Sequence, residues 1–407
     1  MSKIRFKGFH TSLERKQIGE ITTSFSGGTP KSSNKSYYEG DIPFIRSGEV
    51  KSKQTELFIS DEALQNSSAK MVSQGDILYA LYGATSGEVA ISQINGAINQ
   101  AILAIKPNSG CSSEFIMNYL KKEKDNILEK YLQGGQGNLS AAIVKSIELS
   151  LPSLDEQSAI GSLFRTLDDL LSSYMDNLTN YQFLKATMLS KMFPKVGQTV
   201  PEIRLEGFKG EWEKTTLEKS TDRVKSYSLS RDVEMNQDTG LKYIHYGDIH
   251  LGKVSMIDDG NSIPYIKTDT KLSEFLQQGD LIFADASEDY KGIAEVAVVV
   301  TALSEKIVAG LHTIAVRPQS IFDSIFLYYM FKTQTFRKYG YKVGTGMKVF
   351  GISPSNLMKY EFYYPDKKEQ QAIGAYFSNL DNLINSHQEK ITQLEILKKK
   401  LLQDMFI

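Results

Sequence analysis

The chain has 407 residues, 41% hydrophobic and 23% charged, an ordinary globular composition with room for two or three domains. Lysine plus arginine total 47 against 48 aspartates plus glutamates, so the net charge is −1 and no whole-chain field attracts a polyanion. The one cysteine, Cys111, excludes an internal disulfide framework or a thiolate-rich metal site, and no apolar run approaches the ~20 residues of a spanning helix. With no apolar targeting core in Met1–Phe6, the expectation is a cytoplasmic protein.

In chain order, the sequence opens on Arg5-Phe6-Lys7-Gly8-Phe9. It then reads as short strands over 76–81, 88–91 and 101–105, divided by Gly, Asn, Pro and Ser, with helical spacing over 113–131. After Pro152, with Ser153 or Asp155 as cap candidates, apolar residues recur in steps of three and four from Ile160 through Leu167, Tyr174 and Tyr181 to Met192. Such a stripe predicts one helix ~57 Å long. Beyond it the pattern restarts, with strands over 280–284, 294–302 and 313–316, helical spacing over 325–339, and a second stripe from Ile373 to Met405 broken only at His387.

The restart is a tandem duplication. Arg5-Phe6-Lys7-Gly8-Phe9 returns as Arg204-Leu205-Glu206-Gly207-Phe208, an offset of 199. Gly75-Asp76-Ile77-Leu78 returns as Gly279-Asp280-Leu281-Ile282, and Glu156-Gln157-Ser158-Ala159-Ile160-Gly161 as Glu369-Gln370-Gln371-Ala372-Ile373-Gly374, with offsets of 204 and 213. Order is preserved while the offset grows by small insertions. The predicted fold is α+β, with β-rich domains at 1–152 and 195–365 (a short linker at 195–203) and long helices at 153–194 and 366–407. If the two stripes pack on each other, the helices form an antiparallel coiled coil between two pseudo-twofold-related domains.

Chemistry is sparse. A phosphate-binding Gly-x4-Gly-Lys-Ser/Thr is missing, as is a dinucleotide Gly-x-Gly-x-x-Gly, since Gly344-Thr345-Gly346 lacks the third glycine. The five histidines have no metal-ligand spacing. Pro365-Asp366 is followed by no Glu-x-Lys, so a helix-entry turn is the better reading than a nuclease motif.

Binding is the alternative to catalysis. Residues 1–60 hold ten Lys/Arg against six acids, and residues 324–360 combine six Lys/Arg and no acid with Phe326, Tyr328, Tyr329, Phe331, Phe336, Tyr339, Tyr341 and Phe350. A basic, aromatic patch suits a nucleic-acid reader, although a solvated helix over core aromatics has the same composition. Polar loops at matching places in the two halves differ in sequence: 27–35 against 225–236, 82–87 against 285–292, and 133–138 against 342–347. Their Lys, Gln, Asn, Ser and Thr can hold phosphates or read base edges. Lys31, Lys35 and Lys348 are the phosphate candidates. Arg46, Gln136 and His245 are the base-edge candidates, with Tyr82, Thr85, Asn138, Tyr246, Lys291 and Lys342 beside them.

These features together resemble the specificity subunit of type I restriction–modification systems. The twin Arg-x-x-Gly-Phe starts, the twin Gly-Asp strands and the twin Pro-x-x-x-Glu-Gln helix entries carry the resemblance over nearly the whole chain. It implies a non-catalytic DNA reader with two target recognition domains, binding a bipartite, asymmetric double-stranded DNA sequence. It also implies docking of two modification subunits and, through them, restriction subunits. The chain would hold no cofactor: S-adenosylmethionine, ATP and magnesium would belong to the partners. Glu156, Gln157, Glu369 and Gln370 recur at both helix starts without core-packing value, which makes them docking candidates, with helix capping as the alternative. A duplicated protein-interaction scaffold without DNA binding and a degenerate nuclease are the competing readings.

Overall fold

The computed structural model describes residues 4–132, 138–258, 263–267, 271–287, 293–346 and 350–406. The chain forms two compact units, Met1–Asp176 with Gln388–Ile407, and Asn177–His387.

The first unit is built on an antiparallel sheet in the order Thr22–Ser26, Ile102–Pro107, Ile77–Ala80, Val89–Ile91. Its central strand Ile77–Ala80 is buried throughout, as a strand covered on both faces must be. On one face lie Ile18, Ile116, Leu120 and Phe164; on the other lie Ile45, Val72 and Ile98 of a second sheet. That second sheet runs Phe58–Ile59, Ile42–Ile45, Gly96–Ile98, Lys70–Val72, with Ile42–Ile45 parallel to Gly96–Ile98. The two-stranded pair Glu14–Gln17 and Glu148–Leu151 closes the base of the unit, where the first long helix, Leu154–Lys191, departs.

The second unit repeats the plan. Thr221–Val224, Thr313–Pro318, Leu281–Ala284 and Val296–Val299 form the main sheet, extended by Met256–Ile257. Leu241–Ile244 lies parallel to Lys306–Ala309 in the second sheet. Glu213–Thr216 pairs with Glu361–Tyr364 before the second long helix, Lys367–Met405. The strands expected over 280–284 and 313–316 are Leu281–Ala284 and Thr313–Pro318, whereas 294–302 narrows to Val296–Val299.

Each unit contains a piece of both long helices, and in each the two pieces run antiparallel. In the first unit Lys398 pairs with Asp168, and further along Phe406 packs on Phe164 with ring centroids 5.8 Å apart. In the second, Tyr181 packs on His387 at 5.1 Å, Lys185 pairs with Asp381, and Phe193 stacks on Phe377 at 5.9 Å. His387, which breaks the stripe, is thus accommodated by an aromatic edge and by the Leu383 carbonyl. Packing of the two stripes on each other buries only part of them. Ile160, Phe164, Leu167, Met192, Ile373, Phe377 and Leu380 are buried, but Leu170, Leu383 and Leu397 are more than two-fifths exposed. Two helices alone cover only a narrow strip; full burial comes where the β-rich body supplies a second wall.

Candidate nucleic-acid interface

Sheet register decides where the loops go. In the first unit Ser26 faces Leu103 and Ala80 faces Ile102, so Thr22–Ser26 and Ile77–Ala80 end where Ile102–Pro107 begins. The loops after residues 26 and 80 therefore emerge with Asn99–Ala101 from one end of the sheet. Parallel pairing of Ile45 with Ile98 brings the turn at Arg46–Glu49 to the same end, with Asn99 N donating to Ile45 O at 3.4 Å. Asn138 bridges Tyr82, which adds a further loop.

At this end Gly27 and Gly28 let the backbone cross the strand Gly96–Ile98 closely. A Cβ on Gly27 would stand 1.8 Å from Ile98 O, so no other residue fits. Thr29 Oγ1 donates to Gln100 Oε1 at 2.5 Å, tying the loop to the sheet end. Lys31 and Lys35 are exposed and make no ion pair among the described residues; Thr85 is half-buried and Asn138 is exposed. Arg46 is otherwise engaged: its guanidinium donates to Glu49 at 3.0 and 3.1 Å and to Glu56 at 2.6 Å. Burial pushes the Glu49 carboxyl up, but Arg46 and the backbone N–H groups of Glu56 and Arg46 outweigh it and hold it at about 2. As a reader of bases Arg46 would first have to leave two carboxylates.

The second unit places its loops the same way. Val224 faces Ala315 and Ala284 faces Thr313, while Ile244 pairs with Ala309 and Tyr246 N donates to Leu311 O at 3.3 Å. His245, at 8% exposure, starts a short helix and accepts from Gly247 N through Nδ1 at 3.2 Å. Burial and then the Arg231 charge lower its pKa, so it is a positioned, neutral ring rather than an exposed reader. Tyr246 is half-buried against His312, with ring centroids 5.5 Å apart. His312 has a left-handed backbone (φ 56°), is half exposed, and sits 3.1 Å through Nδ1 from Asp285 Oδ1. Gln100 and His312 were not candidates from sequence. The divergence of Asn99-Gln100-Ala101 from Gly310-Leu311-His312 between otherwise matching strands was the available signal.

Lys342 goes elsewhere. It lines a cleft of about 630 Å³ with Lys338, Lys359, Tyr339, Phe193 and Lys214, beside the Glu213–Thr216 pair. The aromatic patch of 324–360 is mostly core: Phe326, Tyr329, Phe331 and Phe336 are fully buried, and Lys332 and Arg337 pair with Glu295. Gln136, Lys291 and Lys348 lie outside the described residues.

The four candidate docking residues face inward. Glu156 and Glu369 are 2% and 0% exposed, and each receives a two-pronged arginine from the start of its own repeat. Arg5 donates to Glu156 at 2.8 and 2.5 Å, and Arg204 to Glu369 at 2.7 and 2.6 Å. Gln157 Oε1 accepts from Ser112 N at 2.9 Å while its amide donates to Pro152 O; Gln370 repeats this with Asp323 N and Pro365 O. Capping falls instead to Ser153 and Asp366, which accept from the amides of Glu156 and Glu369. Surface contact by the Glu-Gln pairs is therefore closed off, because their polar atoms are already paired inside the chain.

Comparison with known proteins finds relatives for this duplicated fold. The Methanocaldococcus jannaschii type I restriction enzyme MjaVIII specificity subunit is 20% identical over 95% of this chain and 90% of its own length. The Escherichia coli EcoR124I/EcoR124II specificity subunit is 24% identical over 45% of this chain and 49% of its own. The crystal structure of the type I restriction–modification S subunit from M. genitalium superposes with a TM-score of 0.63 at 14% identity, covering 100% of this chain and 99% of that one. The sequence profile of the type I restriction modification DNA specificity domain matches residues 12–180 and again 243–396. The chain thus belongs to the type I restriction–modification specificity subunit family, with its specificity domain present twice.

Proposed function

We propose that the chain selects the DNA target of a type I restriction–modification complex, each unit reading one half of a split, asymmetric site. The observation that carries this reading is the convergence of several loops at one end of each main sheet. The scaffold strands match between the repeats, while the loops differ in length and side chains. A common frame with divergent tips suits one function with two specificities.

Lys31 and Lys35 have the exposure and freedom of phosphate contacts, while Gln100, Asn138 and His312 stand where base edges would be read. Catalysis is assigned to the partners, with methyl transfer from S-adenosylmethionine and ATP-driven cleavage on the modification and restriction subunits in the cytoplasm. Docking of those subunits is assigned to exposed apolar residues of the long helices, Leu170, Ile396 and Leu397 in the first unit and Phe183 and Leu383 in the second.

The test is salt-dependent DNA binding by the chain assembled with its modification subunits. Affinity for the methylated target should exceed that for scrambled DNA by roughly a thousandfold or more. Equal affinity for both, or none, would favour the scaffold reading instead.

A further inference from the structure

The duplication provides an internal comparison at the place where each sheet meets its long helix. In the second unit this place is filled by Tyr328 and Tyr329, whose rings pack 5.0 Å apart against Phe377 and the sheet. The Tyr329 hydroxyl donates to Asp381 Oδ2 at 2.7 Å, while Asp381 Oδ1 holds Lys185. Each Asp381 oxygen thus has one partner.

In the first unit the matching residues are smaller. Ser112 and Asp323 are equivalent, since each caps a helix and gives its N–H to the repeated glutamine, and their offset of 211 aligns Met117 with Tyr328 and Asn118 with Tyr329. Asp168, 213 residues before Asp381, holds Lys398 through Oδ1, just as Asp381 holds Lys185. Its Oδ2 takes no hydrogen bond among the described residues. Instead of two tyrosines there is a cavity of about 440 Å³, within the range that small ligands occupy. Its lining joins Val89, Ala90 and Ile91 of the sheet and Met117 and Asn118 of the helix Ser113–Lys122 to charged side chains, among them Lys51, Lys121 and Arg165 beside Asp168 of the first long helix.

The chain therefore keeps the carboxylate acceptor of a tyrosine site, here about two-fifths exposed and so open to a ligand from outside, and one apolar wall, but omits the tyrosine. Asn118 does not replace it: its amide turns back to Glu114 O at 2.8 Å, and its buried Oδ1 has no donor. We infer that this cavity seats a phenol ring whose hydroxyl donates to Asp168 Oδ2, supplied by a tyrosine side chain of a docked partner chain. The sheet residues supply the ring contact, and the carboxylate fixes its orientation as Asp381 does for Tyr329. The partner clause rests on the proposed assembly with modification subunits; the seat itself does not.

The probe is p-cresol, the side chain of tyrosine, added to the full-length protein. It should raise the thermal midpoint by about 2–4 °C near saturation. It should also bind roughly tenfold more tightly than toluene, which lacks the hydroxyl. Asp168→Ala should abolish that preference, and Asn118→Tyr, which copies the second unit, should remove p-cresol binding. Absence of a p-cresol shift in the wild-type protein, or equal affinity for toluene, would overturn the seat whether or not either variant folds. The source is tested on the assembled complex, where a partner tyrosine should exclude p-cresol. Undiminished p-cresol binding there would overturn the partner assignment, leaving DNA recognition untouched.

Discussion

Arg5 and Glu156 are 151 residues apart in the chain, yet the guanidinium of one forks onto the carboxylate of the other at 2.8 and 2.5 Å. Arg204 and Glu369 repeat the arrangement. Two signatures of the duplication, the Arg-x-x-Gly-Phe start and the Glu-Gln helix entry, are thus the two halves of one clasp. It ties the beginning of each β-rich body to the helix that leaves it.

Breaking one clasp should weaken folding. Arg5→Ala leaves Glu156 buried without its cation and should cost about 3 kcal/mol. The thermal midpoint would then fall by about 6–12 °C. Adding Glu156→Leu to Arg5→Ala should recover much of the loss, because no buried charge remains, and a double-mutant cycle measures the coupling. Capture of modification subunits should track the folded fraction; selective loss of capture at an unchanged midpoint would return these residues to a docking role.

Leu167 is 5% exposed in the first long helix and packs with Phe164 and Phe406 in the first unit's core. Leu167→Asp should bury an unpaired charge and lower stability by several kcal/mol, on the order of 3. Denaturant titration checks it, and a midpoint unchanged from wild type would contradict the packing.

Acid should loosen the turn at Arg46. The Glu49 pKa is depressed to about 2 from 4.5, so its contribution is complete above the unfolded value and is lost as pH falls from about 4.5 to 2. Glu49→Gln should flatten the stability profile in that window and leave it parallel to wild type above it. An equally steep acid limb in the variant would exclude the turn as a contributor.

Loop substitutions should sort into two classes. Lys31→Ala or Lys35→Ala should weaken binding to all sequences and reduce the salt slope by about 1 each. Gln100→Ala or His312→Ala should relax one base position, in different half-sites, at about 1–3 kcal/mol. Uniform loss from the second pair would place them on the backbone.

The duplicated plan, the long helices and the main strands were legible because each follows a periodic pattern that packing enforces. The helix 153–194 became Leu154–Lys191, and 76–81 became Ile77–Ala80. The site was less legible. Arg46 is a base-edge candidate by sequence, but Glu56, ten residues on, folds back onto it, and sequence gives no distance for such a return. The aromatics of 324–360 satisfied a nucleic-acid composition and a core composition equally; only the tertiary fold decides that Phe326 and Tyr329 face inward. His312 was hidden because its distinction is a backbone angle and the partner Asp285, neither of which is written locally.

The central claim, one half-site per unit, is tested most directly by sequencing methylated bases in a host carrying the intact operon, before and after residues 1–152 are exchanged for those of another family member. The account predicts a split, asymmetric target whose half-site centres lie on the order of 10 base pairs apart, with one half-site replaced by the exchange and the other retained. A single contiguous target, or an exchange that changes both half-sites at once, would contradict it.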